Sequence, residues 1–183
     1  MPLVVMTVPP VLGTGKKALK RLGQQTAGLR SFRQIQMNVY PHQIVCDCLS
    51  HIEAFRDNGD TKEEMKMASE KIVGDESIRV TVTAMRFSVF RCHPESLNIE
   101  TGKKMTANAV RAVLADTAGV TVHHVAGKNI YPFPVDAADK DETHVGRIRK
   151  DETLANGINT WVVSDNLRKG AARNTLAAVR VGK

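Results

Sequence analysis

The 183-residue sequence has few aromatic residues, few cysteines and no long apolar run. Aromatic residues make up only 4% of the chain, and its three cysteines cannot all be paired. A disulfide-stapled secreted fold is therefore excluded, and a hydrophobic share of 42% excludes disorder. No stretch approaches the roughly 20 apolar residues that a membrane span needs, and no signal-peptide pattern is recognisable. We expect a cytoplasmic protein without a membrane segment.

Basic residues outnumber acidic residues. The chain contains 26 Lys and Arg against 19 Asp and Glu, which gives a formal net charge of +7. Such a surplus favours an anionic partner, such as a nucleic acid, a phosphorylated metabolite or a dinucleotide. Nucleic acid is the least favoured of these partners, because no platform of aromatic side chains accompanies the basic residues.

The hydrophobic pattern alternates between the periods of strands and helices. A short strand at 4–6 must end at Pro9 and Pro10, because proline donates no ladder hydrogen bond. From Lys16 a basic helix runs towards Thr26, and from Ile78 a strand with one polar face runs to Ala84. The apolar parity then slips, which predicts a bulge near Met85. Further strands are predicted at 97–99, 120–125, 143–149 and 158–164, and further helices at 61–72, 107–114 and 168–179.

These elements predict one α+β domain, since 183 residues suffice for one compact core with at most a small appendage. Several predicted strands have a polar outer face. We therefore expect a mixed, largely antiparallel sheet that is covered by helices on one face.

Three local motifs fail as ligand sites when their spacing or the direction of their side chains is considered. The segment Gly13–Lys16 lacks the earlier glycine and the following Ser or Thr of a phosphate-binding loop. Cys46 and Cys48 have the wrong spacing for a zinc knuckle and no second cysteine pair. Adjacent residues of a strand face opposite sides, so His123 and His124 cannot chelate one metal ion together. The sequence predicts no metal site.

Arg86 and His93 are candidate functional residues by their chemistry. Arginine binds a carboxylate through two parallel hydrogen bonds, and histidine transfers protons near neutral pH. In one unbroken strand their side chains would point to opposite faces, so only a bulge or the turn before Pro94 could bring them together. By spacing alone, a surface arginine and a core histidine are the favoured interpretation. Glu63 and Lys66 lie three residues apart on the same face of the predicted helix. A surface ion pair between them would account for this spacing without any role in ligand binding.

Six segments, taken in chain order, resemble aspartate-semialdehyde dehydrogenases. The most specific are the Asp-Asn-Gly turn with its Lys-Glu-Glu-Met-Lys helix start and the last segment, which begins at Trp161. The six segments are 40–44, 57–67, 86–96, 131–136, 145–151 and 161–172. The resemblance extends from about Val4 to Val179.

The resemblance implies the catalytic and dimerisation domain of that family, a fold similar to the C-terminal domain of glyceraldehyde-3-phosphate dehydrogenase. Residues 1–165 would form this domain, and residues 166–183 a helix that packs on a Rossmann domain in the family. That NADP-binding domain, with its glycine fingerprint and its Asn-Cys-x-Thr segment, is not in this sequence. The implied partners are a second copy of the chain, a complete paralogue or a separate Rossmann half, together with a small anionic substrate.

The family reaction is the NADPH-dependent reductive dephosphorylation of L-aspartyl 4-phosphate to L-aspartate 4-semialdehyde, in lysine, threonine and methionine biosynthesis. The resemblance implies that His93 is the acid/base and that Arg86 binds the substrate carboxylate. It likewise implies that Glu63 binds the amine and Lys66 the phosphate. Asn166 would contact the nicotinamide end of NADP, and Gly13 would lie in the loop that approaches it.

Several residues depart from the family pattern. Pro9 stands where the family has a glutamine that orients the acyl intermediate, and Leu12 replaces a serine. Ser88, Arg91 and Cys92 replace proline, a small or apolar residue, and glycine. Because the nucleophilic cysteine and the dinucleotide-binding domain of the family are not in this sequence either, we expect the chain to be inactive by itself. The alternatives are a non-catalytic dimerisation module, half of a split enzyme, or a relative of N-acetyl-glutamyl-phosphate reductase. In each case Leu176 and Val179 are expected to face solvent or a partner.

Overall fold

The computed structural model describes residues 2–62, 64, 78–123 and 128–169. The strands in these ranges are β1 (Pro2–Thr7), β2 (Cys48–Leu49), β3 (Arg79–Ala84), β4 (Arg86–Phe87), β5 (His93–Glu100), β6 (Val120–His123), β7 (Thr143–Lys150) and β8 (Gly157–Ser164). The helices are a 3₁₀ helix (Val11–Thr14), α1 (Lys16–Arg30), α2 (Ala107–Ala115) and the one-turn α3 (Pro134–Ala137). None of these helices is both long and apolar enough to cross a membrane.

The main sheet has six strands in the order β3-β1-β5-β8-β7-β6. Its central pairs, β1/β5, β5/β8 and β8/β7, are antiparallel, whereas the outer pairs β3/β1 and β6/β7 are parallel. A separate two-stranded antiparallel sheet joins β2 to β4. The predicted α+β fold with a mixed, largely antiparallel sheet is confirmed.

Strand β1 has one exposed face and one buried face. Val5 and Thr7 are buried, while Val4 and Met6 on the opposite face are exposed. This alternation is the one expected for a strand that covers a core on one side only. The strand ends before the two prolines, as predicted.

Helix α2 covers one face of the sheet. Its apolar residues Val110 and Leu114 pack with Val145, Ile158 and Val162. The one-turn α3, which the sequence analysis did not predict, contributes Ala137 to a cluster with Val163 and Trp161. Residues 162 and 163 point to opposite faces, so α3 lies on the other side of the sheet from α2.

Helix α1 continues to Arg30, beyond its predicted end at Thr26. The reason is tertiary. Buried Gln25 donates from Nε2 to the carbonyl oxygen of Gln36 at 3.0 Å, and its Oε1 accepts from the backbone N–H groups of residues 44–45. These bonds anchor the last turns of the helix to the segment that follows it, and Gly28 does not end the helix.

The predicted bulge near Met85 is wrong, because the chain changes sheets there. Strand β3 ends at Ala84, and Arg86–Phe87 then pairs with β2 in the second sheet. The Met85 N–H still donates to the Thr7 carbonyl oxygen at 2.9 Å, which holds this crossing next to the end of β1. A parity slip in the sequence is compatible with both arrangements.

Two predicted helices lie mostly or wholly outside the described residues. The helix predicted over 168–179 is described only at Arg168 and Lys169, whose N–H groups donate to the Asp165 carbonyl oxygen. Leu176 and Val179 lie outside the described residues. At the start of the helix predicted over 61–72, Thr61 and Glu64 are described. The Glu64 N–H donates to Thr61 Oγ1 at 3.3 Å, and the Thr61 N–H donates to Glu64 Oε2 at 2.8 Å. This reciprocal pair is a capping box with Thr61 as the N-cap residue, at the position where the predicted helix begins.

Candidate functional site

The Arg86 side chain is held in place, and some of its N–H donors have no partner among the described residues. Its Nη1 donates to the Pro10 carbonyl oxygen at 2.8 Å, and its guanidinium carbon lies 5.6 Å from the centre of the Tyr40 ring. The residue is only 7% exposed, yet within the described ranges no carboxylate pairs with it. A buried guanidinium without a carboxylate partner is suited to bind one from a ligand.

Arg86 lines a cleft of about 420 Å³. Gly13 and Pro9 line the same cleft, and His51 and Glu53 add an imidazole and a carboxylate. No atom lies within 4 Å of the position that a Cβ atom on Gly13 would occupy, so this part of the cleft is open. The structure therefore brings together two predicted site residues, Arg86 and Gly13, that are far apart in sequence.

His93 is the first residue of β5, where it pairs with Ser164 of β8. Its Nε2 is hydrogen-bonded to Thr7 Oγ1 and lies 3.6 Å from Glu95 Oε1. The Thr7 hydroxyl in turn donates to Glu95 Oε1 at 3.4 Å. Within the described part of the chain, the ring therefore makes its polar side-chain contacts through Nε2.

Burial sets the ionisation of this cluster. Burial, and secondarily the charge of Arg86, lowers the pKa of His93 to about 4, so the imidazole is neutral at pH 7. Burial also raises the pKa of Glu95, an effect that the hydrogen bond from Thr7 partly offsets. A neutral imidazole can accept a proton from a ligand.

Arg86 and His93 lie at the same end of the sheet. Thr7 ends β1 and pairs with Ala84 on one side and Glu95 on the other. Strand β3, which ends just before Arg86, therefore lies on one side of Thr7. Strand β5, which begins at His93, lies on the other side. The change of sheet at Met85, and not a bulge, is what brings the two residues to this edge.

Asn166 joins the same edge from the end of β8. Its Oδ1 accepts the backbone N–H of Cys92 at 3.1 Å. That donor fixes the orientation of the amide, so Nδ2 points away from it and has no partner among the described residues. Asn166 is thus held against the backbone of Cys92, the residue before His93, with two N–H bonds to offer.

None of the three cysteines has the environment of a nucleophile. Cys92 is fully buried, and its pKa is raised to about 11, first by burial and then by the charge of Asp165. Cys46 and Cys48 line a different cleft, with Phe87, Ser88 and Val89. The described residues that line the Arg86 cleft include none of the three.

Sequence reasoning missed Thr7, Tyr40 and Glu95 as parts of this site. Tyr40 lies under the Arg86 guanidinium, and its hydroxyl donates to Thr14 Oγ1 at 3.0 Å. Tyr40 and Glu95 lie within the family-like segments 40–44 and 86–96, but the sequence alone gave neither residue a role. Two predicted substrate-binding residues, Glu63 and Lys66, lie outside the described residues.

The histidines near β6 do not form a metal centre. His123 Nε2 and His144 Nδ1 are 2.8 Å apart, a histidine pair that the sequence analysis did not predict. His124 lies outside the described residues. Within the part of the chain that the structure describes, no group of three or more His, Cys, Asp or Glu side chains could hold a metal ion.

Comparison with known proteins identifies the fold. Residues 2–169 match the sequence profile of the semialdehyde dehydrogenase dimerisation domain. The chain belongs to this family. The resemblance inferred from the six sequence segments is thereby confirmed.

Relatives of this semialdehyde dehydrogenase domain include aspartate-semialdehyde dehydrogenases from several bacteria. The protein of Legionella pneumophila is 44% identical over 180 residues, which cover 97% of this chain and 52% of the relative. The protein of Aquifex aeolicus is 42% identical, over 95% of this chain and 52% of the relative. The chain therefore spans about half the length of these curated relatives.

Solved structures of the family share the fold. The aspartate semialdehyde dehydrogenase II of Vibrio cholerae superposes with a TM-score of 0.93 at 39% identity, over 98% of this chain and 54% of that protein. The same enzyme complexed with ASA superposes with a TM-score of 0.92. The Candida albicans enzyme with NADP, at 17% identity and a TM-score of 0.61 over 91% of this chain and 45% of that protein, shows the fold alone.

Proposed function

We propose that the chain supplies the substrate-binding and proton-transfer half of an aspartate-semialdehyde dehydrogenase. The reaction is the reduction of L-aspartyl 4-phosphate to L-aspartate 4-semialdehyde with NADPH, in the cytoplasm and in lysine, threonine and methionine biosynthesis. The observation that carries this proposal is the buried Arg86, which has no carboxylate partner among the described residues and lies at the sheet edge where His93 begins β5.

Arg86 binds the substrate carboxylate. One N–H of Nη1 is used by the Pro10 carbonyl oxygen. The edge formed by Nε and Nη2 has no partner among the described residues and can make two parallel hydrogen bonds to a carboxylate. Lysine carries the same charge but cannot make this pair of bonds.

His93 transfers the proton at Nδ1. The imidazole is neutral at physiological pH because its pKa is lowered to about 4 by burial and by Arg86. It therefore acts first as a base, and Thr7 and Glu95 hold the opposite ring nitrogen. From the resemblance, Glu63 binds the substrate amine and Lys66 the phosphate.

NADP fits this chain at one end only. Asn166 keeps Nδ2 free to donate to a carboxamide oxygen, and Gly13 leaves open space in the Arg86 cleft. When bound, the cofactor supplies the hydride. No glycine fingerprint for its adenosine half is in the sequence, and no cysteine here suits acyl transfer. Both would come from a Rossmann half or from a complete paralogue.

The test is to reconstitute activity. The purified chain alone should not oxidise NADPH in the presence of aspartyl phosphate. Addition of the dinucleotide-binding half of a complete family member, which brings the nucleophilic cysteine, should give turnover, and Pro9→Gln should raise the rate because it restores the amide that the family uses.

Arg86→Lys should lower kcat/KM of the reconstituted enzyme by at least about tenfold, through loss of one charge-assisted hydrogen bond. Arg79→Lys, an exposed substitution on β3, is the matched control and should change nothing. Turnover by the chain alone contradicts the proposal, as does its absence from both the wild-type mixture and the Pro9→Gln mixture.

A second candidate function is pairing. The face of β1 that carries Val4 and Met6 is exposed and apolar, and the matched family is a dimerisation domain. We propose that two copies of the chain associate through this face of the sheet, or that one copy pairs with a complete paralogue.

A further inference from the structure

The loop between Arg86 and His93 contains an arginine that joins three parts of the chain. Arg91 donates from Nη1 and Nη2 to the two carboxylate oxygens of Asp139, at 3.0 and 2.6 Å. It also donates from Nη2 and Nε to the two oxygens of Asp165, at 2.6 and 3.4 Å. One guanidinium thus clamps two carboxylates that are 26 residues apart.

The two carboxylates differ in their surroundings. Asp165 is fully buried, whereas the Asp139 side chain is 70% exposed. Asp165 also accepts the backbone N–H groups of Leu167 at 3.0 Å and Asp139 at 2.8 Å. Burial raises the pKa of Asp165, but these hydrogen bonds and Arg91 outweigh it and bring the pKa below its usual range. Asp165 is therefore a charged, fully buried anchor, and Arg91 is the cation that faces it.

Each side of the clamp leads directly to a residue of the candidate site. Cys92 follows Arg91, and its N–H donates to Asn166 Oδ1, next to Asp165. His93 comes next and pairs with Ser164. Segments 91–93 and 164–166 are thus joined by an ion pair, a side-chain hydrogen bond and a strand pairing, one after another.

The backbone between Arg91 and His93 needs such support. Cys92 has a φ of 71°, in the left-handed region that disfavours residues with a Cβ atom. Strained positions of this kind persist only where the surrounding structure holds them. The Arg91 ion pairs lie immediately before the strained residue and β5 immediately after it.

We propose that Arg91 is a positioning residue, which holds the His93 imidazole and the Asn166 amide at a fixed separation through its clamp on Asp139 and Asp165. The inference rests on the proposed function in so far as His93 and Asn166 serve proton transfer and the nicotinamide. Arg91 itself touches neither the Arg86 cleft nor, among the described residues, the His93 ring.

The experiment is a pH titration of the His93 imidazole by NMR in the isolated chain, with the signal assigned through His93→Gln. In Arg91→Gln the His93 pKa should rise by about one unit, because a loosened loop admits water to the ring. The Nδ2 proton signals of Asn166 should shift in the same variant. Arg91→Lys should restore part of both effects. Arg168→Gln, which removes an exposed arginine–aspartate pair with Asp141, is the matched control and should leave both signals unchanged.

Asp139→Asn separates positioning from direct charge effects. It keeps the Arg91 charge and removes a negative one, so electrostatics alone would lower the His93 pKa. A loosened clamp would raise it, and a rise is the expected result. Because Asp139 is exposed, Asp139→Asn also tests the proposal if Arg91→Gln fails to fold.

A lower melting temperature in Arg91→Gln, with the His93 and Asn166 signals unmoved, would reduce Arg91 to a structural role and overturn the proposal. A fall of the His93 pKa in Asp139→Asn would overturn it too. Neither readout involves substrate or cofactor, so failure of the Arg86 experiment leaves this one to stand or fall by itself.

Discussion

At the residue scale, burial of His93 connects the candidate proton-transfer group to stability. Its pKa is about 4 in the folded chain, against an ordinary value near 6.5. Between these values the unfolded chain takes up a proton that the folded chain excludes. The buried His93 therefore has almost no effect on the free energy of unfolding near neutral pH, and it destabilises the fold as the pH falls below about 6.5.

We expect the free energy of unfolding to fall by about 2 kcal/mol more in the wild type than in His93→Gln between neutral pH and about pH 5. Urea unfolding at the two pH values measures it. Glu95, whose pKa is raised by burial, acts in the opposite sense in both proteins, so the difference between them isolates His93. Equal pH dependence of the two proteins would show that His93 is not excluded from protonation.

The backbone conformation of Cys92 affects the stability of the fold independently of the contacts of its side chain. Its Cβ atom sits on a residue with a φ of 71°, where glycine is better tolerated than alanine. Elsewhere alanine is the more stable of the two, because glycine loses more entropy on folding.

We expect Cys92→Gly to be more stable than Cys92→Ala by roughly 1 kcal/mol, measured by urea unfolding. Both variants lose the same buried thiol, so the comparison cancels most of the lost packing. The opposite order of stability would mean that the left-handed backbone at this residue is not strained.

At the element scale, two glycines that look alike in sequence have opposite structural roles. Gly23 lies inside α1, and no atom is within 4 Å of where its Cβ would be. Gly146 lies in β7, where a Cβ atom would come within 2.5 Å of Pro132 Cδ and 2.7 Å of the His123 carbonyl oxygen. The second glycine lets two neighbouring segments approach the strand closely.

We expect Gly23→Ala to raise the free energy of unfolding by about 1 kcal/mol, because alanine is the better helix former. Gly146→Ala should lower it by about 2 kcal/mol, since a backbone carbonyl and a proline ring must move aside. Thermal or urea unfolding checks both. A neutral effect of Gly146→Ala would mean that β6 and Pro132 are not packed against β7 as described.

At the scale of the whole molecule, the exposed face of β1 is the surface through which we expect the chain to associate. Val4 and Met6 are 48% and 37% exposed on this face. Apolar side chains that line up on an open sheet face mark an interaction surface. A family whose domain is named for dimerisation fits this use of the face.

We expect light scattering after size exclusion to show a dimer at micromolar concentration, and the double variant Val4→Glu, Met6→Glu to be monomeric. Burying two charges without partners would cost several kcal/mol, more than a typical apolar contact contributes. Val113→Glu, at an apolar position on α2 that is 59% exposed, should leave the dimer intact. A monomeric wild type, or a dimer that survives the double variant, would contradict this assignment of the face.

Much of the fold could be predicted because it depends on local patterns. The prolines that end β1, the capping residue Thr61 and the alternation before Ala84 are each readable from neighbouring residues. The end of α1 and the fate of Met85 could not be read in this way. Both depend on hydrogen bonds to distant segments. Gln25 makes these bonds at the end of α1, and the Thr7 carbonyl oxygen accepts the one from Met85.

The candidate site divides along the same line. Arg86, His93 and Asn166 could be named from chemistry and resemblance to the family. The neighbours of these residues could not be predicted, because they come from separate strands and loops. They are Tyr40 beneath Arg86, Thr7 and Glu95 at His93, and the Cys92 N–H that donates to Asn166. The roles of Glu63 and Lys66 stay predictions.

The sequence by itself determined the strand and helix periods, the turns and the types of side chain available for chemistry, because these depend on residues a few positions apart. Only the tertiary structure decided that Arg86 and His93 share one sheet edge, and that Arg91 joins the two segments beside it. Such arrangements depend on which distant strands pair, and strand pairing is set by burial of whole faces of the sheet, which no short stretch of sequence contains.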